Sequence, residues 1–294
     1  MATGINFYRP LDLAKRAALI FMFLLPGRAH TRVFRYYRAF SDLILLLGED
    51  SGFLNIGYAV DTENTALVSA QKALVRRTTQ DLDPRGRWLD VGCGKGGAAR
   101  LLAGDHQDLH VTGINITRGQ IRDAPVYGRV DLRFGDAMDM PFEDAVFDGV
   151  YAVETAFHYP DKGAFVKEAF RVLVPGGRLA VAEVVWKHRP VPMVHGPRNW
   201  FWKSLIASPQ LFTGEQWRKT LARTGFSRIR VEDISDRTLG AYPIWLRQVE
   251  KHWDGLVEIY TEPLLKATML FLTKVFQRCP LAYILITAQK GTDR

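Results

Sequence analysis

Short apolar runs alternate with segments of helical periodicity from about residue 85 to the carboxyl terminus. Such alternation predicts an α/β fold with a parallel sheet and helices on both faces. The predicted strands are Arg87–Val91, Leu109–Ile114, Val130–Phe134, Phe147–Ala152, Arg178–Val184, Arg228–Asp233 and Leu281–Thr287. The predicted helices are Gly97–Ala103, Arg118–Ala124, Lys162–Leu173 and Gly214–Thr224.

The segment Trp186–Tyr260 departs from this alternation because it is rich in tryptophan. It contains five of the seven tryptophans, namely Trp200, Trp202, Trp217, Trp245 and Trp253. We interpret part of it as a helical insertion that covers one end of the sheet, although these side chains can also form a small core of their own.

A short apolar run lies near the amino terminus. Residues Ala17–Leu25 are all apolar and follow Lys15 and Arg16. Four arginines and no acidic residue then lie between Arg28 and Arg38. The run is far shorter than the roughly 20 residues that span a bilayer, and no convincing signal-peptide cleavage site follows it. Two main interpretations stay open, a helix packed on the rest of the protein and a helix attached to a membrane surface, with a cleaved signal as a third.

Composition and charge narrow the classes of function. The 294 residues are 47% hydrophobic and 24% charged, which is typical of a globular protein and excludes a disordered, collagenous or polytopic membrane protein. Two cysteines favour a reducing compartment, so we expect a cytoplasmic protein. The net charge of +8 is concentrated partly beside the apolar run. It therefore indicates peripheral contact with a membrane rather than binding of nucleic acid.

A glycine loop after the first predicted strand is the strongest local signal. Gly92, Gly94 and Gly97 fit the dinucleotide pattern G-x-G-x-x-G, so a nicotinamide-dependent oxidoreductase is one interpretation. The preceding Asp90 favours a different ligand, because a carboxylate suits a cationic amino group and repels a pyrophosphate. The second and third strands each end in polar residues, which could meet a ribose and an adenine. A nucleotide cofactor with a cationic group fits both observations.

The motifs DVGCGKGG, GINIT, GDAMDMPF, FDGVYAVETAFHYPD and RVLVPGGRLAVAE together resemble those of class I S-adenosylmethionine-dependent methyltransferases. More narrowly, they are similar to bacterial natural-product C- and O-methyltransferases. The segment Phe53–Tyr58 resembles the one that closes over the cofactor in that group. The resemblance covers about residues 52 to 240. It implies a Rossmann-like seven-stranded sheet, mostly parallel with an antiparallel last strand, that binds S-adenosyl-L-methionine and releases S-adenosyl-L-homocysteine.

We therefore predict four regions along the chain. Residues 1–60 form a helical cap and residues 61–185 the Rossmann-like core that binds the cofactor. Residues 186–280 form a mainly helical lid that determines substrate specificity and contains strand six, and residues 281–294 form the last strand and the tail.

The resemblance also implies which residues bind the cofactor. Asp90 and the glycines would surround its amino-acid portion, Asn115 with Gln120 would meet the ribose, and Asp136 would hold the adenine. Many class I members have an acidic residue at the position of Asn115, whereas an amide there is common in the narrower group. Tyr58 would reach the carboxylate or sulfonium region. The full predicted set is Tyr58, Asp90, Gly92, Gly94, Asn115, Ile116, Gln120, Asp136, Ala137, Met138 and Glu154.

Methyl transfer is an in-line displacement, so the enzyme mainly aligns the reacting atoms. An alcohol acceptor also needs a base, and His158, which follows the fourth predicted strand, is the candidate. A similarly placed histidine is the base in related sugar O-methyltransferases. Glu183, at the end of the fifth strand, stands where that group often has an aspartate working with the histidine. The alternatives are a His158 that only shapes the pocket and a Glu183 that is structural.

Aromatic residues in the predicted lid favour a bulky hydrophobic acceptor, such as a terpenoid, a polyketide or a similar secondary metabolite. A membrane lipid, quinone or sterol-like molecule is the alternative, and either oxygen or carbon can be methylated. The predicted substrate contacts are Tyr159, His195, Trp200 and Trp202. No His/Cys cluster has metal-ligand spacing, so we expect no structural metal. The motif that other families use to methylate nucleobase or glutamine nitrogen is also missing from the sequence.

Overall fold

The computed structural model describes residues 47, 51–122, 124–188, 211–260, 262–263, 265–266, 269–270 and 281–292. Several predictions lie outside these residues. They include the apolar run Ala17–Leu25 and the predicted substrate contacts His195, Trp200 and Trp202.

Seven strands of the described chain form one sheet in the order β3-β2-β1-β4-β5-β7-β6. The strands are β1 (Gly86–Val91), β2 (Leu109–Asn115), β3 (Val130–Phe134), β4 (Phe147–Val153), β5 (Leu173–Trp186), β6 (Phe226–Asp233) and β7 (Leu281–Lys290). Strands β1 to β5 pair in parallel with their neighbours, whereas β7 is antiparallel to both β5 and β6. The predicted Rossmann-like sheet, mostly parallel with an antiparallel last strand, is therefore confirmed.

Helices cover both faces of this sheet. They are α1 (Leu67–Thr79), α2 (Gly97–Asp105), α3 (Arg118–Arg122), α4 (Lys162–Val172), α5 (Gly214–Thr224), α6 (Ser235–Thr238), α7 (Tyr242–Lys251) and α8 (Trp253–Tyr260). Alternate residues of each central strand point to opposite faces. On β4, Val150 packs in the cluster that includes α4 and α5, whereas its neighbour Tyr151 packs in the cluster that includes α2. The central strands are buried on both sides, which explains their nearly continuous apolar sequences.

Apart from β5, the strands lie within three residues of their predicted bounds, and α6, α7 and α8 were predicted only together, as a mainly helical region. The larger differences concern β5 and α1. Strand β5 begins at Leu173 rather than Arg178, because Leu173 already pairs with Phe147 before the ladder shifts register and continues from Gly149. The glycines at 176 and 177 suggest a turn, and the first of them has φ +80°, yet the chain stays in the sheet. Helix α1 was not among the predicted helices. Its buried stripe contains the polar residues Gln71, Thr78 and Thr79 among the apolar ones.

The tryptophan-rich segment contributes to more than one region. Trp217 is fully buried in the sheet core beside Phe165 and Phe212, so it does not belong to a separate aromatic cover. Trp245 instead donates a hydrogen bond of 2.9 Å from Nε1 to the carbonyl of Ile56. Leu47 packs in a small cluster with residues of α7 and α8. In the part of the chain that the structure describes, no helix has the length and apolar character needed to cross a membrane.

Candidate cofactor and active site

A pocket lies at the carboxyl ends of β1, β2 and β4, where the strand order reverses direction. Open α/β sheets bind ligands at such a switch point, because the connections that follow the neighbouring strands β1 and β4 run in opposite directions and open a crevice between them. Twelve of the predicted site residues line this pocket. They are Asp90, Gly92, Gly94, Asn115, Ile116, Gln120, Asp136, Ala137, Met138, Glu154, His158 and Tyr159.

Other predicted residues lie elsewhere. Tyr58 and Glu183 are not among the residues that line the pocket, and His195, Trp200 and Trp202 fall outside the described residues. Further lining residues were not singled out as site residues, namely Gly52, Phe53, Leu54, Asn55, Cys93, Ala98, Ile114, Gly135, Val153, Thr155 and Pro160. Three of them belong to the segment Phe53–Tyr58, whose sequence resembles a cofactor-covering segment, and most of the others are direct neighbours of predicted residues.

The glycine loop needs its glycines for two physical reasons. Gly92 has φ +81°, a conformation that side-chain-bearing residues rarely adopt. A Cβ at Gly92 would also overlap the side chain of Thr155. At Gly97, where α2 begins, a Cβ would lie 2.5 Å from the carbonyl oxygen of Gly52. The loop is therefore packed tightly between the segment around Gly52 and the turn after β4, and it leaves its backbone exposed to the pocket.

Asp90 is the penultimate residue of β1 and lies beside the loop. The side chain is buried, and its Oδ2 has no hydrogen-bond partner among the described residues. Burial raises the pKa of Asp90 to about 7, because the charged form loses its hydration. A buried carboxylate oxygen without a partner is costly. Asp90 lines the pocket, so a cationic group bound there would favour the ionised form of its carboxylate.

The opposite side of the pocket contains fixed hydrogen-bonding groups. Asn115 Nδ2 donates to Oε1 of Gln120 at 2.7 Å and to the carbonyl of Gly94 at 3.3 Å. Asp136 Oδ1 accepts a hydrogen bond of 2.9 Å from the backbone N–H of Met138. These contacts hold polar side chains at the ends of β2 and β3, where the sequence predicts a ribose and an adenine.

The turn after β4 carries His158. It is a single 3-10 turn over Ala156–His158, in which His158 is buried and its ring lies 3.9 Å from the ring of Phe157. The hydroxyl of Tyr159 is 3.2 Å from that of Thr155 and donates to the carbonyl of Val91 at 3.4 Å. Tyr159 thus fastens the turn to β1, and its hydroxyl contributes to the wall of the pocket.

Glu183 is buried near Lys162, outside the pocket lining. Its Oε1 accepts a hydrogen bond of 2.8 Å from the N–H of Val184, and its Oε2 has no hydrogen-bond partner among the described residues. Burial raises the pKa of Glu183, and the charge of Lys162 opposes this rise. Burial lowers the pKa of Lys162, whose Nζ donates to the carbonyl of Tyr159 at 3.1 Å. The predicted partnership of Glu183 with His158 stays a prediction.

The sheet order, the glycine loop and the pocket at the switch point define the class I methyltransferase fold. Residues 89–181 match the methyltransferase-domain family. The O-methyltransferase rstn1 of Aspergillus nomiae is 36% identical over 203 residues, which are 65% of this chain and 88% of that protein. The 27-O-demethylrifamycin SV methyltransferase of Amycolatopsis mediterranei is 33% identical over 271 residues, or 86% of this chain and 95% of that protein.

Comparison with solved structures also supports the methyltransferase fold. The crystal structure of the 4+2 cyclase SpnF matches with a TM-score of 0.75 at 25% identity, over 92% of this chain and 99% of that one. The chain therefore belongs to the S-adenosylmethionine-dependent methyltransferases, and S-adenosyl-L-methionine is its cofactor. This membership decides against the nicotinamide-dependent interpretation of the glycine loop.

The described residues fit this cofactor chemically. The carboxylate of Asp90 lines the pocket and suits an ammonium group, and the glycine loop lines the pocket beside it. Neither feature favours a pyrophosphate, which the carboxylate would repel. Among the described residues, no group of three or more His, Cys, Asp and Glu side chains is placed to hold a metal ion.

Proposed function

We propose that this methyltransferase acts on a bulky hydrophobic small molecule, such as a terpenoid, a polyketide or a similar secondary metabolite, at oxygen or carbon. The observation that carries the proposal is that buried His158 lines the same pocket as the predicted cofactor residues. The name of one relative, a 27-O-demethylrifamycin SV methyltransferase, supports an acceptor of this kind, and the name of the other, an O-methyltransferase, supports transfer to oxygen.

The pocket residues would divide the binding of the cofactor among them. Asp90 would bind the amino group, Asn115 with Gln120 would bind the ribose hydroxyls, and Asp136 would hold the adenine against Ile116. When bound, S-adenosylmethionine supplies an electrophilic methyl group on its sulfonium. The remaining tasks belong to the protein, which has to align the acceptor with that methyl group and exclude water.

His158 is proposed as the base that removes the proton of an acceptor hydroxyl as its oxygen attacks the methyl group. For a carbon acceptor, the same imidazole would remove the proton that remains after transfer. Glu183 is proposed to position the turn that carries His158, because buried Lys162 links its charge to the carbonyl of Tyr159. Tyr159, His195, Trp200 and Trp202 are proposed to contact the acceptor.

Labelled cofactor tests this function directly. The full chain is incubated with isotopically labelled S-adenosylmethionine and extracts rich in secondary metabolites, and products are analysed by mass spectrometry. We expect one apolar product that carries the label. Binding of S-adenosylhomocysteine without any labelled product would instead indicate a methyltransferase fold that has lost methyl transfer, and label in a polar product would overturn the proposed acceptor class.

A membrane-dissolved acceptor, such as a lipid, quinone or sterol-like molecule, is the alternative. The apolar run Ala17–Leu25 beside four arginines supports it, because a basic amphipathic segment binds an anionic membrane surface. We propose that the protein is cytoplasmic and contacts the membrane through this run. Flotation on anionic vesicles tests the contact. Flotation that is lost on removal of residues 1–30 would support it, and recovery only in the soluble fraction would contradict it.

A further inference from the structure

The carboxylate of Glu154 joins three separate parts of the chain. Its Oε1 accepts a hydrogen bond of 2.8 Å from the backbone N–H of Ile56 and another of 2.9 Å from the hydroxyl of Tyr283. Ile56 belongs to residues 51–58, which we call the strap, and Tyr283 lies in β7. Glu154 itself follows β4 and lines the pocket. One oxygen atom therefore connects the strap to two strands at the pocket wall.

The strap passes over the glycine loop. The carbonyl of Gly52 approaches Gly97 so closely that no Cβ fits there, and a Cβ on Gly94 would lie 3.1 Å from the side chain of Leu54. Four strap residues, Gly52, Phe53, Leu54 and Asn55, line the pocket. A strap displaced from this position would expose the glycine loop and open the pocket on that side.

Other hydrogen bonds hold the strap from the side away from the pocket. Gln71 in α1 donates from Nε2 to the carbonyl of Asn55 at 2.8 Å, and Trp245 in α7 donates to the carbonyl of Ile56 at 2.9 Å. The N–H of Tyr58 donates to the carbonyl of Ala70 at 2.9 Å. Of the hydrogen bonds described here between the strap and other elements, the one to Glu154 joins the strap to a residue that lines the pocket.

The backbone at Glu154 is strained. Its φ is +51°, in the left-handed region that favours glycine and that a residue with a Cβ rarely adopts. The N–H of Glu154 donates to the carbonyl of Ala182 at 2.9 Å, which fixes this conformation against β5. Strain of this kind persists where the surrounding structure imposes it and is concentrated at functional sites. Here it turns the side chain of Glu154 toward both of its hydrogen-bond donors.

We propose that Glu154 is a positioning residue that latches the strap over the cofactor pocket by accepting the hydrogen bonds of Ile56 and Tyr283 on one oxygen. The inference rests on the proposed function, since it takes this pocket as the place where the cofactor acts. Positioning the strap differs from binding the cofactor directly, because the latch needs a hydrogen-bond acceptor atom at residue 154 and not a negative charge. Glu154→Gln keeps such an acceptor, whereas Glu154→Ala removes it.

Amide hydrogen exchange of the full chain without ligand tests the latch. We expect Glu154→Ala to accelerate exchange at Ile56 by about tenfold or more, the effect of losing a hydrogen bond worth roughly 1–2 kcal/mol, and Glu154→Gln to stay within about threefold of wild type. Glu143→Ala removes an exposed carboxylate and serves as the control. Protection of the β4 peptide in every variant checks that the core is folded. Unchanged exchange in Glu154→Ala, or equal acceleration in Glu154→Gln, would overturn the latch.

The dissociation rate of S-adenosylhomocysteine provides a second readout. We expect Glu154→Ala to release it about tenfold faster than Glu154→Gln does, because only the second variant keeps the acceptor atom. Tyr283→Phe removes the hydroxyl that donates to Glu154 and keeps the ring packing, so it should accelerate the release of S-adenosylhomocysteine by a smaller factor. It replaces Glu154→Ala in this experiment if Glu154→Ala does not fold. Release at the wild-type rate in both Glu154→Ala and Tyr283→Phe would contradict the latch. Failure of the wild type to bind S-adenosylhomocysteine would refute the proposed function, while the exchange experiment would still decide about the latch.

Discussion

The side-chain amide of Asn115 donates a hydrogen bond of 2.7 Å to the side-chain oxygen of Gln120. Asn115 ends β2, Gln120 lies in α3, and both line the pocket. Asn115 also donates to the carbonyl of Gly94, and its Oδ1 accepts a hydrogen bond of 3.3 Å from the N–H of Thr117. These contacts leave the amide in one orientation, so the ribose side of the pocket is ordered by neutral groups instead of a carboxylate.

Gln120→Ala should weaken the binding of S-adenosylhomocysteine by roughly 3- to 10-fold, because it removes a hydrogen bond worth about 1 kcal/mol and frees the Asn115 side chain. Isothermal titration calorimetry measures the affinity. Gln107→Ala, at an exposed position outside the pocket lining, is the control and should bind like wild type. Equal affinities for all three proteins would contradict the predicted role of Gln120.

Gly92→Ala should destabilise the protein by about 2–4 kcal/mol, since a Cβ there combines a left-handed backbone with an overlap against Thr155. Urea denaturation monitored by circular dichroism measures the free energy of unfolding. Gly119→Ala is the matched control, because a Cβ at that position meets no atom within 4 Å and the residue lies in α3. The control should be neutral or up to about 1 kcal/mol more stable. Equal stability of both variants would show that the loop packs less tightly than described.

The stability of the ligand-free protein should fall as pH rises from 5 to 7. The pKa of Asp90 is raised by burial from its ordinary 3.8 to about 7, so the folded state binds this proton more tightly than the unfolded state. Its contribution is therefore largest at low pH and is lost between these two values. Glu154, with a pKa raised to about 7 by burial, acts in the same direction.

Asp90→Asn should flatten this dependence by up to about 1.4 kcal/mol per pH unit, because the amide does not titrate. Melting temperatures recorded between pH 5 and pH 8 provide the measurement. Asp108→Asn, an exposed carboxylate, should leave the dependence unchanged. A dependence identical in wild type and Asp90→Asn would mean that Asp90 is hydrated in the free protein.

His158→Ala should reduce the transfer of labelled methyl to an oxygen acceptor by about 100-fold or more, the usual contribution of a general base. The affinity for S-adenosylhomocysteine should stay within about threefold of wild type, because the predicted role concerns the acceptor. His110→Ala, at an exposed position in β2, is the control. A loss of O-methylation well below about tenfold would leave His158 with a role in pocket shape only.

The sequence predicted the sheet well because its central strands are buried on both faces and have uninterrupted apolar runs. It missed the start of β5, since the glycines at 176 and 177 indicate a turn and only the pairing of Leu173 with Phe147 extends the strand. The pocket lining was largely predictable, because its residues directly follow the parallel strands. The hydrogen bonds of Glu154 to Ile56 and Tyr283 could not be predicted from the sequence, because these partners are 98 and 129 residues away.

Calorimetric titration with S-adenosylhomocysteine tests the central claim most directly, namely that the pocket at the switch point binds the cofactor through the buried carboxylate of Asp90. We predict one molecule bound per chain, with an affinity that Asp90→Asn lowers by roughly 10- to 100-fold, as expected for a charge-assisted hydrogen bond, and that Asp108→Asn preserves. Tight binding of NAD(P) with none of S-adenosylhomocysteine, or equal affinities in wild type and Asp90→Asn, would contradict it.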